Sequence, residues 1–113
     1  MDKSARLGQI WPREMMKMSL PPPTLDRAHV RWWAWSGETP FGELFGAQGD
    51  DRWVFGFAVC RYDNGEVYRF TCNKNWEVVQ DTDHGSGPGA EDEAKADIPT
   101  NYDASRVRWQ RYP

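Results

Sequence analysis

The sequence predicts an α+β fold: one small domain with an antiparallel sheet of four to five strands, one short helix and a Pro-rich N-terminal tail. Three observations lead there. Asn64-Gly65 separates two runs rich in aromatic and β-branched residues, "DRWVFGFAVCRYD" and "EVYRFTCNKNW". Two further segments, "HVRWWAW" and "SRVRWQRYP", alternate in the manner of half-buried strands. A single Ala- and acid-rich stretch lies between Pro88 and Pro99. At 113 residues the chain fits one domain and can bury about 65% of its unfolded surface.

Residues 1–28 read as a tail. Pro21, Pro22 and Pro23 favour extended chain and cannot donate to a ladder. Before them stand Met15, Met16 and Met18, which offer internal start positions, with one helical turn expected around Arg13–Met18. The domain proper is assigned to residues 29–113.

In "HVRWWAW", strict alternation sets Val30, Trp32 and Ala34 on one side and Arg31, Trp33 and Trp35 on the other. Trp32 and Trp33 therefore cannot share one core. The segment from Phe41 to Phe45 is broken by glycines and reads as a loop or a short bent strand.

Asn-Gly is the sequence of a two-residue type I′ turn, in which both central residues need positive φ. That turn sets Tyr62 against Val67, Cys60 against Arg69, Val59 against Phe70 and Phe57 against Cys72. One face then gathers Phe55, Phe57, Val59, Tyr68, Phe70 and Cys72 as the core. Gly56, Ala58, Cys60, Tyr62, Val67, Arg69 and Thr71 form a second face suited to solvent or a partner. In this register the two cysteines lie on opposite faces and are predicted to be free.

Gly85–Gly89 reads as a flexible loop. Ala90–Asp97 follows as a helix, with acids in its first turn and Pro99 beyond its end. Ala90, Ala94 and Ile98 form the stripe that docks it on the sheet. In the last strand, Val107 and Trp109 point inward, and Arg106, Arg108 and Gln110 outward.

Composition narrows function. Aromatics make up 14% of the chain, including seven Trp, and such side chains supply much buried area per position. A net charge of −3 argues against nonspecific nucleic-acid binding, which needs clustered Lys and Arg. Two cysteines are too few for a disulfide framework or a thiolate zinc site. There is no long apolar run and no secretion signal, so a cytoplasmic setting is the expectation. No cofactor or metal is implied.

Asp81, Asp83 and His84 are the closest acid–imidazole group, the chemistry of a divalent-ion site or an acid–base pair. Their spacing matches no known ligand pattern, and a solvated loop is the expected reading; a hydrolase centred on His84 is a weak alternative. The loop "GSGPG" lacks the Lys-Ser/Thr of a phosphate-binding loop. Arg106, Arg108 and Arg111 with Arg69 form a basic strip if the last strand neighbours the hairpin.

The expected function is non-enzymatic: a small binding protein that occludes or sequesters a protein partner, in the manner of an inhibitor, immunity protein or anti-defence factor. The residues assigned to it are Trp33 and Trp35 as an aromatic surface and Arg31 as their polar neighbour. Arg69 and Arg108 are assigned as local basic contacts, and Glu91 and Asp92 as an electrostatic guide. The alternative is a small-molecule or nucleotide-binding protein in which aromatic and Arg side chains line a pocket.

Overall fold

A computed structural model describes residues 20–113. The fold is α+β, as expected. Strands β1 (Thr24–Leu25) and β2 (Ala28–Trp35) are followed by a small ribbon of β3 (Gly42–Glu43) and β4 (Trp53–Val54). Next come β5 (Gly56–Arg61), β6 (Val67–Cys72), β7 (Val78–Asp83), helix α1 (Ala90–Ala96) and β8 (Gln110–Arg111). The six-stranded main sheet is antiparallel and runs β1-β2-β5-β6-β7, with β8 also on β2. β1 pairs with β2 at Ala28 and His29, and β8 at Trp32 and Trp33. The turn at Arg13–Met18 and the methionine cluster lie outside the described residues. The end of the expected tail belongs to the domain, since Pro21 is buried and β1 sits within it.

The hairpin forms where Asn64-Gly65 places it, but its register is one residue away from expectation. Gly56 faces Cys72, Ala58 faces Phe70 and Cys60 faces Tyr68. The cause is the loop. Tyr62 and Glu66 exchange the closing hydrogen bond, leaving Asp63-Asn64-Gly65 as a three-residue connection with only Gly65 at positive φ. Three-residue loops with one left-handed residue are the next commonest hairpin after the two-residue kind. Asn64 serves it with its side chain, whose Oδ1 accepts from the Glu66 amide at 3.0 Å.

A one-residue slip moves a whole strand's side chains to the other face. Phe70 and Cys72 join Ala58 and Cys60, while Arg69 and Thr71 join Phe57 and Val59. Neither face is left to solvent. On one side α1 lays Ala90 and Ala94 against Val59 and Val67, and Phe57 meets Ala34, Phe41, Val54 and Tyr102. On the other, Leu25, Ala28, Val30, Phe70 and both cysteines enclose Trp76. Full burial of Phe57 and of Phe70 stabilises by roughly 1.5–3 kcal/mol each, so the sheet gains from both faces.

β2 contains a bulge. Val30 faces Cys60 and Trp32 faces Val59, leaving Arg31 without an opposite number. The bulge breaks the expected alternation by aiming Arg31 and Trp32 both toward α1, while Val30 joins Trp33 and Trp35 on the Trp76 side. The final segment is also shorter than expected. Ala104–Arg106 is a 3-10 turn and only Gln110–Arg111 pairs, although Val107 and Trp109 do pack inward.

Candidate functional site

The tryptophan triplet divides as its spacing requires. Trp32 goes to the helix side, where Nε1 donates to Glu91 Oε1 at 3.1 Å and the Lys95 ammonium sits 3.5 Å over the ring. Trp33 and Trp35 go to the other side, each half-buried, and both lean on Trp76 at centroid distances of 6.4 and 5.5 Å. Trp35 continues to Phe55 at 5.8 Å. Beyond Phe55, an apolar hollow of about 400 Å³ is lined by Pro40, Trp53 and Phe55. The result is a strip of rings from Trp33 to Phe55, with Trp53, 37% exposed, standing across the hollow from Phe55. Arg52 rests 4.8 Å over Trp53 and gives that side of the hollow a cationic edge.

Local sequence explains the strip. Trp53 and Phe55 flank Val54, so when Val54 turns into the core its two neighbours face the other way. Trp76 reaches the sheet because Asn73–Glu77 is a tight turn, with Asn73 Oδ1 accepting from the Asn75 and Glu77 amides and Trp76 at φ 61°. Opposite it stands Gly56, where a Cβ would come within 2.6 Å of the indole. Trp53 is not among the residues assigned from the sequence; the Trp53-Val54-Phe55 alternation is the signal that marks it.

The other expected binding residues are not gathered at this strip. Arg31 and Glu91 lie on the helix side. Glu91 Oε2 accepts from Arg61 Nε at 2.9 Å and stands 3.3 Å from Arg31 Nε. Burial pushes the Glu91 carboxyl up, but hydrogen bonds from Arg61 and Trp32 and the charges of both arginines outweigh it and hold the group below its ordinary range. Glu91 therefore fastens α1 to β2 and β5, while Asp92 is exposed on the next position.

The expected basic strip does not form. Arg69 is only 2% exposed, because the hairpin register turns it toward α1. It donates to the Asp97 backbone carbonyl and side chain, and to Thr82 Oγ1 at 3.1 Å. Burial pulls its pKa down, and Asp97 opposes that by charge and hydrogen bond. Arg106 donates to the carbonyls of Ser36, Thr39 and Pro40 and so anchors that loop. Arg108 and Arg111 of the four stand exposed, Arg108 bonded to Ser105 O and Arg111 lying 5.4 Å over the Trp32 ring.

Asp81 and Asp83 lie on edge strand β7 and not in a loop. The His84 side chain is 5% exposed, with Asp97 at 3.6 Å and Glu93 at 3.9 Å. That position departs from the solvated loop expected from the sequence and leaves little room for substrate to reach the ring. Among the described residues no group of His, Cys, Asp and Glu is arranged to hold a metal ion. Both cysteines are buried and free. They share one face, contrary to the expected register, yet Cys60 lies opposite Tyr68 and Cys72 opposite Gly56, too far along the ladder to join. No helix among the described residues is long and apolar enough to cross a membrane. Comparison with protein-family models, curated proteins and solved structures finds no match to this chain.

Proposed function

We propose that the chain is a non-enzymatic binding protein that captures and occludes a protein partner through Phe55, where the aromatic strip ends, and Trp53. The observation that supports this reading is the surfacing of a supported ring array beside an apolar hollow. Exposed apolar patches of this kind mark interaction sites on soluble domains. Rings held by neighbours lose little freedom on binding, which makes aromatic anchors effective hot spots. Arg52 supplies the polar rim. An inhibitor or immunity-type role is the specific form we propose, since a stiff strip on a small domain can cover a partner's surface without rearranging.

In this reading Trp33 and Trp35 form the supporting rows, and Trp53 with Phe55 is the contact. Nucleotide binding fits less well. The hollow of about 620 Å³ beside Trp76 is lined by Asp26, Glu77 and Asp81, whose charges repel phosphate. The test is photo-crosslinking in the native cell, with a crosslinking phenylalanine analogue at position 53 or, as a control, at position 92. A discrete protein adduct at position 53 alone is expected. No adduct there, or equal adducts at both positions, overturns the proposal.

A further inference from the structure

The main sheet ends on two unequal edges. β1 pairs only with β2, and β7 pairs only with β6, among the described residues. These two outer strands line the same 620 Å³ hollow, with Thr24, Leu25 and Asp26 on one bank and Val78–Asp81 on the other. Trp76 and Glu77 close one end. The bank that ends at Asp26 is tied back to the hairpin by the Tyr62 hydroxyl, which donates to Asp26 O at 2.9 Å. The sheet curls toward closure and stops short, leaving strand edges facing each other across a gap.

We propose that this gap receives an extended, Lys- or Arg-bearing segment of a partner protein, added as a strand to β7. Two features select that occupant. An open strand edge offers backbone donors and acceptors to any extended chain. The hollow is lined by the carboxylates of Asp26, Glu77 and Asp81 and by no Lys or Arg, with Asp83 farther along the same strand face, opposite Tyr68. A second copy of this chain is the poorer match, because β7 laid against β7 sets Asp81 and Asp83 against their own kind. The slot shares Trp76 with the ring strip but not Trp53 or Phe55, and its occupancy does not depend on the function proposed above.

The experiment is a titration of the ¹⁵N-labelled full chain with an acetylated heptapeptide of alternating Lys and Val. Amide shifts confined to Thr24–Asp26 and Trp76–Asp83 are expected. The Lys peptide should bind roughly tenfold more tightly than its Glu–Val counterpart, and Asp81→Asn should weaken it about fivefold. N-methylation of alternate peptide amides should abolish binding, because it removes the donors needed for a ladder. The proposal is overturned by absent shifts at these amides, by equal binding of the Glu peptide, or by equal binding of the methylated one. Sedimentation showing two copies of the chain joined through the slot overturns it as well.

Discussion

Arg69 shows what a single side chain costs and gains when the register buries it. Among the described residues its charge has one carboxylate partner, Asp97, which is itself 57% exposed. Asp97→Ala removes the countercharge while the backbone carbonyl at 97 and Thr82 Oγ1 still accept from Arg69, and should destabilise by about 1 kcal/mol, read from urea unfolding. Arg69→Met added to that background should recover much of the loss, because an apolar side chain of similar length needs no partner. A double variant weaker than Asp97→Ala alone contradicts this account. Glu91 gives a pH signature. Its folded pKa lies below the ordinary value of 4.5, so its stabilisation is present above that pH and drains away as pH falls through the lower folded value. Urea midpoints measured between pH 7 and pH 3 should fall, and Glu91→Gln should fall less. Trp53→Ala should lower the unfolding midpoint modestly, with far-ultraviolet circular dichroism of the folded chain unchanged at 20 °C, while removing partner capture.

At the scale of elements, much of the fold was legible. The hairpin is located by Asn64-Gly65, the helix by Ala90, Ala94 and its flanking prolines, and β2 by alternation. Register was not legible, since Asp-Asn-Gly suits a two-residue and a three-residue loop, and the choice between them decides where Arg69 and Phe70 point. β7 was hidden because "EVVQDTD" pairs apolar residues with acids and carries no aromatic ring. The ring strip was half legible: the triplet's division follows from its spacing, whereas Trp76 arrives from a turn that local pattern does not mark. That meeting is tight. Gly56→Ala should cost about 1–3 kcal/mol by forcing the Trp76 indole aside, measurable as a lowered melting temperature. On the same side, burial pushes the Cys60 thiol up to about 12 and Cys72 up as well. Neither should react with a thiol reagent at pH 8 until urea unfolds the sheet, when both should react together.

At the scale of the molecule, both faces of one sheet are covered, by α1 and the ribbon on one side and by Trp76 with β1 on the other. The two layers share β2, β5 and β6, so neither can unfold while the other stays. Far-ultraviolet circular dichroism and tryptophan fluorescence should therefore report one coincident transition; separated midpoints would show that the layers are independent. The Pro21 carbonyl accepts from Tyr112 at 2.9 Å, which brings distant parts of the sequence into the same cooperative unit. The kink at Arg31 has a consequence for how this chain tolerates shortening. Removing a residue from the middle of β2 outside the Arg31–Trp32 pair would invert everything on one side of the deletion, sending indoles where methyls belong. Excising Arg31 instead leaves every remaining neighbour opposite its present mate, as an unbroken ladder, at the loss of one contact to Glu91 and one carbonyl acceptor for Tyr112.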